Sequence, residues 1–319
     1  MQSGLPRLDV QMANIEQRSA VMARPPANDL WLLGVAVIAI STSGPLIAAT
    51  TAPIVAIAGW RCVLAAGLTS PLVFLRRRQE LSRANLRISL NAVGAGLALA
   101  VHFVLWMSSL RYTSVASSTA LVAVQPVWAA ILARRAGGLV PRRAWVGIWI
   151  AIAGVVVISG VDFSVSGRAL FGDSLALAGG VLSAVYVSVG ERVRQELSTS
   201  TYTLLAYSSA AAVLFAGALV TGVQLWGYSS SDWWKILGLT LGAQLLGHTL
   251  IGRVLSTTSA TVTSLAILLE MPGATLVAAV WLRQLPPLAL LPAAALLFSG
   301  LWLVISSGDR QVLLESPPG

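Results

Sequence analysis

The sequence predicts an all-α integral membrane protein: ten transmembrane helices built as two inverted five-helix repeats. Three observations predict it. Of 319 residues, 56% are hydrophobic and 10% charged, whereas a soluble domain averages about 25% charged. The apolar residues gather in runs near the ~20 that cross a bilayer as a helix. One unit is also written twice, "TALVAVQPVWAAILARRAGGLVPRRAWVGIWIAIAGVVVIS" from Thr119 and "TSLAILLEMPGATLVAAVWLRQLPPLALLPAAALLFSGLWLVIS" from Thr263.

The runs place spans at 30–49, 54–75, 86–110, 113–133, 143–161, 172–190, 202–225, 234–254, 258–281 and 288–306. Residues 1–29 are mixed polar and are expected to form a cytoplasmic amino-terminal arm. Their apolar content starts too late for a cleaved signal peptide. Residues 30–161 form the first five-helix repeat, 162–306 the second, and 307–319 a short cytoplasmic tail. The single cysteine, Cys62, excludes a disulfide within the chain.

Charge placement sets the orientation. With the amino terminus inside, sixteen Arg fall in inner segments: three before residue 30, five in 76–87, four in 134–143, then Arg192, Arg194, Arg253 and Arg310. Arg111, Arg168, Lys235 and Arg283 fall outside, and Arg61 lies within a span near its outer end, where it can snorkel. Cytoplasmic loops collect Lys and Arg, so both termini are expected in the cytoplasm and the chain in a cell membrane, a bacterial inner membrane. The net charge of +9 is thereby a topology signal, suited to an anionic lipid leaflet rather than to nucleic acid. Trp31, Trp60, Trp145, Trp226, Trp233, Trp234 and Trp281 fall near span ends, where an amphipathic ring prefers to sit.

The repeat is inverted by count. Pro126 and Pro272 stand 146 residues apart, and Gly154 and Gly300 keep that offset. Five spans separate the copies, and an odd number makes the second copy enter from the opposite side. Such a repeat places a pseudo-two-fold axis in the membrane plane and a site near the midplane.

Polar residues inside spans are costly and face a cavity or a partner helix. In the third span Asn91, His102 and Trp106 fall on one helical face at 100° per residue; they serve a substrate or pack between helices. In the eighth span Gln244 and His248 lie four apart and either bind substrate or glue helices together. Gly238 and Gly242 there form a Gly-x-x-x-Gly pair. Glu270, the one acid near a span centre, binds a substrate amine, carries a proton, or stays neutral and bonds backbone freed by Pro272. Gln125 precedes Pro126, Ser118 lies on its face seven residues earlier, and Tyr186 and Ser183 mark the sixth span. "ISTSGP" at 40–45 interrupts the first span, by a kink if nothing more.

Ten helices in five-plus-five form, with "WRCVLAAGL" at 60–68, "SLRYTSVASSTALVAVQPVWAAIL" at 109–132 and late glycines at Gly154 and Gly300, resemble the drug/metabolite transporter superfamily in its EamA-type branch. The resemblance covers about residues 30–306. The Gly-Glu pair common after the fourth and ninth helices of that branch is missing here. His102, Trp106 and Tyr186 carry a narrower resemblance to aromatic amino acid exporters of the YddG type. The resemblance implies export of small metabolites, with amino acids first.

The residues themselves exclude other classes. No G-x-x-x-x-G-K-[ST], H-E-x-x-H or G-x-S-x-G occurs, so ATP hydrolysis and these hydrolase chemistries are not expected. Two histidines on different spans make a poor ligand set, and no metal or cofactor is expected. The expected protein is a carrier and not an enzyme, a monomer or weak dimer in the lipid bilayer. It moves a small-molecule substrate by alternating access, with no acid–histidine relay for proton coupling. A proton-coupled drug or metabolite antiporter of the same superfamily is the alternative; a channel or an intramembrane enzyme is the alternative from another class.

Overall fold

A computed structural model describes residues 27–135, 137, 140–255, 266–288 and 290–315. The arm up to residue 26 lies outside the described residues. Among these residues the chain is helical without strands. Seven helices are long and apolar enough to cross a membrane: Asn28–Ala48, Ile54–Arg76, Leu86–Ser109, Val115–Arg135, Arg142–Val161, Gly167–Val193 and Thr199–Val220. Ala266–Trp281 and Leu290–Ser306 are shorter apolar helices. The molecule is a multi-pass membrane protein. Its outer surface carries exposed Leu97, Val101, Trp149, Leu219, Val220 and Val280, as a lipid-facing surface does.

The elements in order are α1 (Ala27–Ser41), α2 (Ser43–Ala48), α3 (Ile54–Arg76), α4 (Arg78–Arg83), α5 (Leu86–Ser109), α6 (Val115–Val122), α7 (Gln125–Arg135), α8 (Arg142–Val165), α9 (Gly167–Val193), α10 (Thr199–Val220), α11 (Ser230–Gly238), a π-helical segment (Leu239–Gly247), α12 (His248–Leu255), α13 (Glu270–Trp281) and α14 (Leu290–Glu315). Their starts follow from local chemistry. Asn85, Ser114, Ser166, Ser198 and Ser229 each accept a bond from a backbone N–H three residues on, filling an orphan donor of the first turn. Gly222, at φ +68°, follows α10 and ends it before the residue 225 expected from hydropathy. At the far end α14 runs on to Glu315, so residues 307–315 are helix rather than loose tail; the first proline able to stop it is Pro317.

Prolines decide where helices break. Pro126 follows the joint between α6 and α7, and Pro272 follows the turn at Leu269 that opens α13. Thr42 separates α1 from α2, its hydroxyl donating to Ala39 O at 2.7 Å, so "ISTSGP" is a kink. Pro71 sits inside α3 without ending it; Gly67 O, deprived of its helical partner, accepts from Ser70 Oγ at 2.8 Å.

The long helices pack in pairs: α5 on α9, α8 on α14, α10 on α3 and on α5, and α1 on the π segment. Two apolar cores result, one mainly of α3, α5, α10 and the π segment, the other of α6, α7, α8, α13 and α14. Helix backbones touch at small residues. A Cβ on Gly147 would lie 2.6 Å from Gly300 O, and one on Gly154 would lie 2.9 Å from Leu297 N. The Gly238/Gly242 pair does not mediate a close approach. A Cβ on Gly242 meets nothing within 4 Å, whereas Gly247 packs against Ile40 and Ala36. Gly247, not Gly242, lies on the face that α1 covers.

Two carboxylates tie helix starts to neighbouring segments. Glu80 on α4 reaches the start of α10: Oε2 accepts from Ser198 N at 3.2 Å, Ser198 Oγ at 2.5 Å and Thr201 Oγ1 at 2.5 Å, while Arg77 pairs with Oε1 at 3.1 Å. Asp232 on α11 reaches the segment before α3: Oδ1 accepts from Thr51 N at 3.1 Å and Oδ2 from Thr51 Oγ1 at 2.7 Å. The hydroxyls of Ser198 and then Thr201 hold the Glu80 carboxyl down at about 2, against 4.5 for an unperturbed group. A carboxylate depressed in this way contributes stability that is complete above about pH 4.5 and is lost as pH falls towards 2. We expect the melting temperature in detergent to fall from pH 5 to pH 3, and to fall less in Glu80→Gln. At pH 7 that variant should lose about 1 kcal/mol, solvent screening having reduced the value. Equal pH slopes in the two proteins would remove Glu80 from the account.

Candidate substrate site

Arg61 is the eighth residue of α3, about 10 Å along the helix axis from its start at the helical rise per residue. It is 3% exposed. Snorkelling is therefore not what it does: Arg61 is enclosed by side chains of other helices. Its guanidinium lies 4.2 Å from the centroid of the Phe103 ring on α5, a cation–π contact. Its Nε donates to Gln244 Oε1 at 2.6 Å. Tyr207 on α10 and Glu270 at the start of α13 lie within electrostatic range of it.

The π segment supplies Gln244. Such widened turns interrupt the regular helix and recur at functional sites. Here the segment carries Gln244, 2% exposed, onto Arg61, and its amide also leans on the Tyr207 hydroxyl. Gln244 Nε2 nevertheless completes no hydrogen bond, and neither does Arg61 Nη1. Glu270 is half-buried; α1 approaches it where Ser41 packs on Gly273, a Cβ on which would stand 2.8 Å from Ser41 Cβ. The site thus draws on α3, α5, α10, the π segment and α13.

The remaining sequence candidates are dispersed. His102 Nδ1 donates to Gly179 O on α9 at 2.9 Å, and its ring stacks on Trp106 at 5.8 Å, 10° from parallel. Trp106 packs against Gly179, and its Nε1 is buried without a hydrogen-bond partner, like Nε1 of Trp128. Trp106 and Phe103 share one apolar cluster with Tyr207 and Cys62. Asn91 does not join this stripe, because it is exposed. At its level Ala92 and Ala95 turn inward under Tyr202 and Ala206 of α10, whereas at the level of His102 the covering helix is α9. One helical face cannot serve both neighbours.

Gln125 accepts from Ser183 Oγ at 2.8 Å beside the α6–α7 break, where a Cβ on Gly180 would lie 3.3 Å from Val122 O. Ser118 is fully buried, its hydroxyl 2.6 Å from that of Ser109. Tyr186 stacks on Tyr202 at 5.9 Å and accepts at its carbonyl from the Tyr202 hydroxyl at 3.3 Å. The side chain of His248 lies outside the described residues. A cavity of about 970 Å³ opens elsewhere, between the end of α3, α4 and the start of α5, lined by Leu75, Arg76, Arg78 and Leu197 among others.

Arg61 was the residue that sequence reasoning undervalued. The signal was present, since a lone ionisable group inside an apolar run is a functional hypothesis by default. Trp60 beside it pointed to the interface instead. Trp60 is in fact half-buried, its Nε1 donating to Leu225 O at 2.8 Å and its ring packed edge-on against Phe215, Trp226 and Trp233.

A profile of the EamA-like transporter family matches the chain twice, over residues 28–160 and 170–306. The chain belongs to the EamA-like transporter family. An uncharacterized transporter of Archaeoglobus fulgidus is 29% identical to it over 171 residues, 52% of this chain and 57% of that relative, so the match spans little more than half of the relative's length. A solved crystal structure shares the fold with a TM-score of 0.63 at 17% identity, covering 89% of this chain and 99% of that one.

Proposed function

We propose that this EamA-like transporter is a secondary carrier that exports small amphipathic metabolites, amino acids with aromatic or large neutral side chains, by alternating access and without proton coupling. The observation that carries the reading is the buried Arg61, bonded to Gln244 and set against Phe103, with Tyr207 and Glu270 within electrostatic range, drawn from helices of both halves of the chain. It combines one fixed positive charge and a carboxyl group with aromatic faces, groups that can complement an amphipathic zwitterion. His102 and Trp106 extend the aromatic wall; Gln125, Ser118, Tyr186 and His248 are assigned to the surrounding path, and Asn91 to its mouth. The YddG type of aromatic amino acid exporter is the proposed relative in function.

The carrier has ten transmembrane helices in two inverted repeats, residues 30–161 and 162–306, flanked by the arm 1–29 and tail 307–319. Both termini are cytoplasmic and the membrane is a bacterial inner membrane. The twofold family match supports the repeat. Helix pairing supports it too: exchanging the halves turns the contact of α5 with α9 into that of the π segment with α1, and returns α8–α14, α3–α10 and α6–α13 to themselves. The acid clamps follow the same exchange. Glu80, after the second span, binds the start of the seventh; Asp232, after the seventh, binds the start of the second.

Purified protein in liposomes tests the reading. Saturable uptake of phenylalanine or leucine, with counterflow and no accumulation under an imposed proton gradient, is expected. Ohmic current would make the protein a channel, and gradient-driven accumulation would replace the uncoupled mechanism. Cysteine labelling that finds position 228 cytoplasmic and position 80 external would overturn the orientation.

A further inference from the structure

We propose that Arg61 and Gln244 form a carboxylate-binding locus, with Glu270 placed to receive the ammonium group of the same substrate. The proposal rests on the transport reading above and narrows it to solutes that carry a carboxylate.

The argument starts from what Arg61 lacks. A guanidinium stays ionised even when buried, and it presents a planar fork of five donors. Arg61 is 3% exposed, yet among the described residues it bonds one neutral amide oxygen and rests on the face of Phe103. Its Nη1 is buried with no acceptor, and so is Nε2 of Gln244, whose carbonyl already holds the Arg61 Nε. Two adjacent buried residues therefore present donors and no free acceptor. Buried donors are normally matched, and a buried ion left without a counter-charge is costly.

The chain's own acid does not fill the place. Glu270 is within electrostatic range of Arg61, but no ion pair or hydrogen bond joins the two side chains, so they stand more than 4 Å apart. A carboxylate between them fits the missing partner. It offers two acceptor oxygens to a guanidinium fork, the bidentate geometry in which Arg–carboxylate pairs are strongest. A carboxylate on Arg61 and Gln244 leaves Glu270 available for a cation on the next atom of the same solute. A monoamine would meet Glu270 but place no anion on Arg61, and a phosphorylated solute would bring more negative charge than one guanidinium balances.

Uptake into proteoliposomes tests this with sets of three related probes: phenylalanine, phenethylamine and 3-phenylpropionate, and leucine with its corresponding amine and acid. Phenylalanine and leucine are expected to be taken up, the two acids to compete with them, and the two amines to do neither. Arg61→Lys, which keeps the charge and loses the fork, should cut amino acid kcat/KM at least tenfold, and Arg61→Met/Glu270→Gln should abolish uptake while remaining folded by melting temperature. Amines taken up as well as amino acids, or unchanged uptake in Arg61→Lys, would overturn the locus and leave the transport reading standing. Uptake confined to solutes without a carboxylate would overturn the locus and the amino acid assignment together, leaving a carrier of another substrate class. No uptake of any solute would overturn both. If the double variant does not fold, the amine comparison and Arg61→Lys decide the matter.

Discussion

Gly300→Leu is expected to prevent α14 from seating on α8 and to leave little folded protein in detergent. A Cβ at residue 300 would lie 2.6 Å from Gly147 O and 2.9 Å from Ala151 Cα. Those atoms are backbone, so no side chain can rotate away. The reciprocal position is as tight, since a Cβ on Gly147 would meet Gly300 O at 2.6 Å and Leu303 Cβ at 2.8 Å. Relief requires the two helices to separate. That would open the core formed by Ile148, Ala151, Leu297, Leu301 and Val304, all buried. Overpacking in a tight core costs about 1–3 kcal/mol, and backbone-to-backbone overlap along a helix pair belongs at or beyond the upper end. Gly34→Leu is the control, because nothing lies within 4 Å of a Cβ there. Size-exclusion recovery and melting temperature read both. A Gly300→Leu protein that melts with the unmutated one would mean that this crossing is looser than described.

Gln244→Leu is expected to destabilise the protein by about 1.5–3 kcal/mol and to abolish transport. The substitution is similar in size, so little of the loss comes from a cavity. It comes from Arg61, which would keep its buried charge and lose the hydrogen bond from its Nε at 2.6 Å; a buried hydrogen bond to a charged group is worth about this much. The double variant Arg61→Met/Gln244→Leu removes the charge as well and should regain most of the stability, since an apolar replacement of a buried polar pair is often neutral. Transport should not return with it. Stability and activity are thus expected to separate, because the polar pair is costly to keep half-made. A Gln244→Leu protein as stable as the unmutated one would show that Arg61 does not depend on this contact.

Much of this architecture was legible before any coordinates. Hydropathy located the helices because burial in lipid needs length and apolarity, both properties of a contiguous segment. Asn85, Ser114, Ser166, Ser198 and Ser229 cap their helices through bonds closed within four residues, a signal that the hydropathy runs do not carry. Pro126 and Pro272 announced the breaks because a missing N–H acts on a carbonyl one turn away. The Gly154 and Gly300 offset pointed to a repeated unit, and both glycines lie where α8 and α14 meet.

The candidate site was legible only in part. Gln244 and Glu270 stood out as polar groups in apolar runs; Gln244 bonds Arg61, and Glu270 lies within its electrostatic range. Arg61 itself was misplaced to the membrane surface, and Asn91 was grouped with His102 although it is exposed. These errors have one cause. Helical periodicity says which residues share a face of one helix, and nothing in it says which neighbour covers that face, or where along the helix the neighbour changes.

What the sequence by itself determined is therefore the local layer: a membrane-spanning, all-helical chain, its proline breaks, and two related units in tandem. What only the tertiary structure decided is the chemistry of the middle. Arg61 and Gln244 are 183 positions apart in the chain and 2.6 Å apart in space. The π turns that bring Gln244 inward, and the Phe103 ring that covers the guanidinium, act on Arg61 from separate helices. An arginine in an apolar run has two resting places, the interface or a pocket of matched groups. The choice depends on what other helices place around it, and so it is a property of packing.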